Sequence, residues 1–256
     1  MGAPSMSTNE QKPSGKGSYG KAIGVIATFL LVSGCATTTN VQQIDQLESI
    51  GEDPRIVLMP PDIRYYLLTA SGVPEANEEW TEAAKVNFSK ALLDYADDIG
   101  ADLKPISADN LTPDEIQYET LHSAVGLTLM QHHFGYTPLP SKAGTFDWSL
   151  GPDISAIADN HAADYALFVY YRDYQASGGR IAFAILAAAA GAGGVGTGSE
   201  HGFASLVDLK TGDIVWFNMV NAGAGELRDA DNARKTVDAL FKDIPTADAP
   251  PETEAQ

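Results

Sequence analysis

Five histidines and a single cysteine are the residues of this 256-residue chain best suited to bind a metal or attack a substrate. The histidines are His122, His132, His133, His161 and His201. The adjacent His132 and His133 would point about 100° apart on a helix, which does not suit one ion. His122 and His133 would lie roughly 16 Å apart along the helix axis. Because the sequence also lacks a His-Glu-x-x-His motif and a cysteine cluster, it predicts no metal site.

Serine hydrolysis is the next chemistry to consider. A serine nucleophile commonly lies in a Gly-x-Ser-x-Gly pentapeptide on a strained turn. The sequence holds no such pentapeptide. The segment around Ser205 lacks the second glycine, and Ser205 is predicted to lie within a strand. Asp208 and Asp213 flank a turn, where solvated acids are far commoner than a catalytic pair. We therefore assign no catalytic residue.

A glycine-rich segment, residues 191–198, raises the possibility of phosphate binding. It does not end in Gly-Lys-Ser or Gly-Lys-Thr, and it follows an apolar run with the character of a helix. No nucleotide or other cofactor is therefore expected. The larger segment, residues 181–196, is almost wholly Ala, Gly, Ile and Leu. Two interpretations stay open: a helix buried within the chain, which is favoured, or an apolar surface for another copy or protein.

The single cysteine lies in an informative setting. It ends the sequence Leu31-Val32-Ser33-Gly34-Cys35, which closes an apolar run over residues 22–32. Three lysines and one glutamate precede that run. A basic start, an apolar core of about 7–15 residues and small residues before a cut are typical of a secretory signal peptide. The run is too short to span a bilayer, which needs ~20 apolar residues.

The end of this signal resembles the lipobox of bacterial lipoproteins. The resemblance implies cleavage between Gly34 and Cys35, a thioether-linked lipid on Cys35 and acylation of the new terminus. Ala36 follows Cys35 where retained lipoproteins carry an acidic residue, so the resemblance also implies transport to the outer membrane. Several acyl chains anchor a protein firmly, whereas one chain holds only marginally. The expected location is the periplasmic side of the outer membrane, with the membrane as a partner.

Four segments follow from this interpretation. Residues 1–34 are the signal peptide, residues 35–53 are the lipidated cysteine and a polar tether, and residues 54–244 are a periplasmic α/β domain. Residues 245–256 form a Pro-, Ala- and acid-rich tail that is expected to be disordered. The formal net charge of −18 argues against nucleic-acid partners, because phosphate binding depends on clustered Lys and Arg.

The predicted domain is α/β, with a single mixed sheet covered by helices that closes with a β-hairpin and a C-terminal helix. Strands are expected at residues 55–59, 63–70, 103–107 and 164–172, and in a hairpin over residues 202–220. Asn77 and Thr112 are predicted to begin helices, the latter with Glu115 in a capping box. Leu121, Val125 and Leu129 are expected on the inner face of the second helix. Asp164 could pair with Arg172 and Asp173 at the ends of one strand.

Two segments resemble periplasmic lipoproteins of the curli-channel and penicillin-binding-protein-activator type. They are Ala162-Ala163-Asp164-Tyr165-Ala166-Leu167-Phe168-Val169, which follows a short helix, and the hairpin from Ala204 to Trp216. The resemblance implies a nucleotide-free α/β domain for assembly or partner binding at the outer membrane. The curli channel spans the membrane with hairpins that alternate over about ten positions. No stretch of this sequence alternates over such a length, so pore formation is not expected.

The sequence therefore favours a membrane-anchored lipoprotein that binds protein partners without catalysis. One alternative is a periplasmic hydrolase of envelope polymers, which would bring His122 or His161 together with Asp164 in one cleft. Another is an oligomeric component of a secretion system, built from several copies of this chain.

Overall fold

One mixed eight-stranded sheet organises the computed structural model, which describes residues 38–43, 54–142, 145–221 and 226–245. The strands are β1 (Thr38–Gln43), β2 (Ile56–Leu58), β3 (Asp62–Leu68), β4 (Pro74–Ala76), β5 (Leu103–Pro105), β6 (Tyr165–Ala176), β7 (Gly198–Asp208) and β8 (Ile214–Asn221). They run in the order β1-β8-β7-β6-β2-β5, and β3 pairs with both β6 and β4. β2 and β3 lie parallel to β6, whereas β7 lies antiparallel to it. The predicted α/β class with a mixed sheet is confirmed.

The helices begin where the sequence offers capping groups. They are α1 (Glu78–Asp98), α2 (Pro113–His132), α3 (Ser155–His161), α4 (Gly178–Ala189) and α5 (Ala230–Leu240). The Asn77 side chain accepts a hydrogen bond from the Trp80 amide at 3.0 Å. Thr112 and Glu115 form the predicted capping box at the start of α2. The C-terminal helix α5 is also confirmed.

Alternating side chains on β6 build a core on each face of the sheet. Leu167, Val169 and Tyr171 pack with α1 and α5, and Ala166 and Phe168 pack with α2 and α3. Every second residue of a strand points to the same face, so one apolar strand supplies both layers. β6 is therefore the central strand of the domain.

The predicted hairpin is confirmed. β7 and β8 pair antiparallel, and residues 209–213 connect them. Gly212 has φ +82, and a Cβ there would lie 2.1 Å from the Gly151 carbonyl oxygen. Both the left-handed backbone and the close approach require glycine at this position.

Thr38–Gln43 belong to the sheet, which corrects the interpretation of residues 36–53 as a tether throughout. They form β1, which pairs antiparallel with β8 from Thr38 opposite Asn221 to Gln43 opposite Trp216. Backbone hydrogen bonds can hold a polar strand at a sheet edge, so its sequence lacks an apolar signal. The signal peptide lies outside the described residues, as do residues 44–53 and 246–256 of the tether and tail.

The inner face of α2 also differs from the prediction. Leu121 is exposed, whereas His122, Gly126 and Leu129 are buried. Val125 also packs against the core on this side, so the prediction holds for Val125 and Leu129 and is wrong for Leu121, because apolar residues occur on several sides of this helix and the sheet selects one of them. No helix among the described residues combines the length and apolarity that crossing a membrane requires.

Candidate functional site

The residues assigned by sequence to lipidation and cleavage, Cys35 and Gly34, lie outside the described residues. The nearest described residue is Thr38, the first of β1. Three residues span at most ~11 Å. Cys35 is therefore joined to the edge strand β1 by a short stretch of chain.

His122 and Ser205 come together inside the domain. Nε2 of His122 lies 2.8 Å from Oγ of Ser205, within hydrogen-bonding distance. The His122 ring stacks on Phe168 and packs against Phe203, with centroids 4.8 and 5.3 Å apart. Burial lowers the pKa of His122 to about 3, so the imidazole is neutral. The two side chains are 2% and 0% exposed, and a substrate cannot reach them.

His161 stabilises the start of α2 through a hydrogen bond to Glu115. Its Nε2 donates to Oε1 of Glu115 at 2.8 Å, and Asn160 Nδ2 donates to the same oxygen at 3.1 Å. The Thr112 amide donates to Glu115 Oε2 at 2.7 Å. Burial alone would raise the pKa of Glu115, but these hydrogen bonds hold it below its ordinary value. The arrangement extends the capping box and ties α3 to α2.

Asp164, the carboxylate that the hydrolase alternative requires, pairs with Arg55. Asp164 forms a two-pronged ion pair with Arg55, at 3.0 Å from Nε and 2.8 Å from Nη2. Among the described residues, Arg55 donates to the Asp164 carboxylate, whereas His122 and His161 form their hydrogen bonds elsewhere. Asp208 accepts from the Lys210 amide at 2.7 Å, as turn acids do. Within the described part of the chain, no group of three or more His, Cys, Asp or Glu side chains could hold a metal ion.

Arg172 pairs with Asp62, which corrects the expected cluster with Asp164. Nη2 of Arg172 lies 2.6 Å from Asp62 Oδ2, and Nη1 donates to the Asp62 carbonyl oxygen at 2.6 Å. The guanidinium lies 4.0 Å above the Tyr170 ring. Burial would raise the pKa of Asp62, but Arg172 and Arg64 lower it. The pair joins β3 to β6 on the face that α2 covers.

Glu119 of α2 lies beside this ion pair. Burial and the negative charge of Asp62 raise the pKa of Glu119 to about 7. Its Oε1 is buried without a hydrogen-bond partner among the described residues. No local sequence pattern groups Glu119 with Asp62 and Arg172, because these positions lie far apart in the chain.

A second polar cluster lies on the opposite face of the same sheet end. Asp173 accepts from Gln175 Nε2 at 3.2 Å, and burial raises the pKa of Asp173. Tyr171 donates from its hydroxyl to Glu200 Oε1. The Tyr65 hydroxyl accepts from the Leu227 amide at 2.9 Å. These contacts join β3, β6, β7 and the segment before α5 into one framework.

Helix α4 is the main exposed apolar feature. It has no buried residue, and its large side chains are exposed at Ile181, Phe183, Ile185 and Leu186. The favoured interpretation of residues 181–196 as a helix buried within the chain is therefore wrong. The composition fits an interior and a contact surface equally well, so the sequence could not decide between them.

These observations define a class: an α/β domain with one mixed sheet, helices on both faces and an exposed apolar helix between two central strands. The chain is similar in fold to the PelC dodecamer from Paraburkholderia phytofirmans, with 11% identity and a TM-score of 0.37 over 80% of this chain and 97% of that one. It is similar to a DUF4136 family protein from Bacteroides thetaiotaomicron, with 11% identity and a TM-score of 0.32 over 80% and 94% of the two chains. It is also similar to lipoprotein GNA1162 from Neisseria meningitidis, with 12% identity and a TM-score of 0.29 over 73% and 96%. No protein-family model and no curated protein matches the sequence.

Proposed function

We propose that this chain is a lipid-anchored lipoprotein of the bacterial envelope whose α/β domain binds protein partners and performs no chemistry. The observation that carries the proposal is Cys35 at the end of Leu31-Val32-Ser33-Gly34, directly after an apolar run with a basic start. Cleavage of the Gly34–Cys35 bond would free the amine for acylation, and the thiol would carry a thioether-linked lipid. The position of β1 supports the proposal, because it leaves only two residues between Cys35 and the first strand of the sheet.

The contacts of the chemistry-bearing residues support a role without catalysis. His122 and Ser205 are buried between α2 and the sheet. His161 holds the start of α2, and Asp164 holds Arg55. Each group is thus used to join elements of the fold. The hydrolase alternative would need His122 or His161 free beside Asp164, and these contacts do not favour it.

The proposed location is the periplasmic side of the outer membrane. Ala36, directly after Cys35, supports this choice over retention at the inner membrane. The net charge of −18 supports protein partners rather than nucleic acid.

Intact mass tests the anchor. The protein is expressed in a Gram-negative host, extracted from membranes with detergent and weighed whole. We expect a chain that begins at Cys35 and carries the mass of its acyl groups, together with incorporation of labelled palmitate. The Cys35→Ser variant is the control and should retain residues 1–34 without label. A wild-type chain with its leader or with a free thiol at Cys35 would contradict the proposal.

Membrane fractionation tests the location. The wild-type chain should collect with outer membranes on a density gradient. The Ala36→Asp variant places an acidic residue after Cys35 and should collect with inner membranes. Equal distribution of both variants would contradict the proposed sorting, while the intact mass would still report on the anchor.

A further inference from the structure

We infer that one end of the domain inserts into the surface of the bilayer that holds Cys35; this inference rests on the lipid anchor proposed above. We call this end the apolar tip and define it as residues 67–74 and 176–198. Arg180 is the only charged residue in these two segments. A stretch so poor in charge is unusual in a chain with a net charge of −18.

Helix α4 presents large apolar side chains to its surroundings. Phe183 is 52% exposed, Ile185 64% and Leu186 69%. Arg180, Ala184 and Ala187 are partly buried, and their spacing of four and three places them on one stripe that faces the domain. A contiguous exposed apolar surface of this kind marks a contact with a protein or a membrane.

The turn between β3 and β4 continues the same surface. Val73 in this turn is 57% exposed. The Ser177 amide donates to the Leu68 carbonyl oxygen at 2.9 Å, which joins the start of α4 to β3. A Cβ on Gly72 would lie 2.6 Å from Nη1 of Arg180, so the guanidinium packs directly on the turn. The two segments therefore form one tip, with an open cavity of about 320 Å³ between them.

Strand register places the apolar tip at the end of the sheet where β1 begins. One row of paired residues crosses the sheet there: Thr38, Asn221, His201, Arg172 and Arg64. β6 runs on from Arg172 to Ala176, about 13 Å beyond the row at the rise of a strand. Cys35 lies within ~11 Å of Thr38 along the chain. β1 begins in this row, so Cys35 is covalently tied to the same end of the sheet as the tip.

This geometry favours lipid as the occupant of the tip. Three strand spacings separate β1 from β6 in the order β1-β8-β7-β6, which is about 14 Å. A lipid on Cys35 therefore holds the bilayer surface close to α4. The tip carries no acidic residue to repel lipid phosphates, and its one charged side chain, Arg180, is held at the base of α4 by a hydrogen bond from Nε to the Gly196 carbonyl oxygen at 2.7 Å. Large apolar side chains inserted at the interface would be removed from water.

Site-directed fluorescence tests the inference in the full-length lipidated protein. Cys35 is the only cysteine and is blocked once lipidated, so Leu186→Cys or Phe183→Cys supplies a single reactive thiol for an environment-sensitive dye. Val86→Cys is the matched control, because Val86 on α1 is 67% exposed. Each labelled protein is reconstituted into phosphatidylcholine vesicles with and without brominated acyl chains. An unchanged thermal midpoint checks that each variant is folded.

We expect brominated lipid to quench the dye at residues 183 and 186 by about twofold or more, since inserted apolar faces lie ~5–10 Å into the interface. The dye at residue 86 should not be quenched. Absence of quenching at 186 in protein that floats with the vesicles would overturn the insertion of the tip and leave the anchor standing. Failure of the unlabelled protein to float would overturn the anchor and the inference with it. A third outcome is that iodide fails to reach the dye at residue 186, brominated lipid does not quench it, and copies of the chain cross-link to each other. This outcome would assign the tip to a second copy and overturn insertion.

Discussion

His122 of α2 and Ser205 of β7 face each other at 2.8 Å across the boundary between helix and sheet. The contact lies among apolar rings, with Phe168 on one side of the imidazole and Phe203 on another. A buried polar group without a partner costs more than a hydrogen bond gains, so each residue of this pair makes the other tolerable in the core. The pair fixes how α2 lies on the sheet.

Ser205→Ala should destabilise the domain by about 1–3 kcal/mol, because it leaves the buried imidazole of His122 without its partner. Urea unfolding should show a lower midpoint with an unchanged slope. Thr120→Ala is the control, since Thr120 is exposed and bonds only to the Ile116 carbonyl oxygen of its own helix.

The double variant His122→Leu with Ser205→Ala removes both polar groups. It should recover part of the lost stability, because no buried group remains unsatisfied. Equal midpoints for Ser205→Ala and Thr120→Ala would contradict a structural role for the pair.

Acid should destabilise the domain through His122. Its pKa is lowered to about 3 in the folded protein by burial, whereas the unfolded side chain takes up a proton near pH ~6.5. The stability contributed by the neutral ring is complete above that pH and is lost as the pH falls toward 3. The slope contributed by this one proton is at most ~1.4 kcal/mol per pH unit. Urea unfolding across this range should give a shallower pH dependence for His122→Gln than for the wild type; parallel curves would argue against a buried neutral histidine.

Glu119 should have the opposite effect on the pH dependence of stability. Burial and Asp62 raise its pKa to about 7, above the unfolded value, so the folded state binds more protons between those two values. Its contribution favours folding at low pH and is lost as the pH rises through 7. Glu119→Gln should therefore stabilise the domain above pH ~8 by on the order of 1 kcal/mol after solvent screening, and by nothing below pH ~4.

Thermal unfolding at several pH values checks this prediction. Glu79→Gln, at an exposed position on α1, controls for the loss of one negative charge from an acidic protein. If Glu119→Gln raises the stability of the domain by the same amount at every pH, the carboxyl group does not titrate in the predicted range.

The ion pairs Arg172–Asp62 and Arg55–Asp164 should differ sharply in their effect on stability. Arg172→Met removes charged hydrogen bonds to Asp62, which keeps Arg64 as a partner, and should cost ~1.5–3 kcal/mol. Arg55→Met removes a pair whose side chains are 53% and 44% exposed, and should cost at most ~1 kcal/mol. Chemical unfolding of the two variants in one buffer measures the difference. Similar losses for both would contradict the assignment of Asp62 and Arg172 as the interior pair.

Local patterns carry the part of this fold that the sequence predicts. Asn77 and the Thr112–Glu115 capping box predict where α1 and α2 begin, because a cap forms hydrogen bonds with amides no more than three residues away. The apolar run of β6 and the turn before Gly212 are equally local. The mixed sheet with an α/β class follows from these elements alone.

Long-range partners account for what the sequence does not predict. Asp62 and Arg172 are 110 residues apart, and no local pattern pairs them. β1 forms because β8 offers it a backbone edge, although its own sequence is polar. The exposure of α4 depends on where β6 ends and β7 begins, because helices rich in small residues occur in interiors and at interfaces alike.

Gly126 shows how closely α2 approaches the sheet. A Cβ on Gly126 would lie 2.0 Å from Cε2 of Phe203, which is itself buried between Tyr170 and Phe217. Gly126→Ala should therefore destabilise the domain by about 1–3 kcal/mol through overpacking, although alanine favours a helix by ~1 kcal/mol. Phe203→Leu alone should also destabilise the domain, because it removes aromatic contacts. In the double variant the smaller side chain makes room for the new methyl group, so the combined loss should be smaller than the sum of the two single losses. Urea unfolding of the four proteins measures this coupling, and strictly additive losses would contradict direct contact between the two positions.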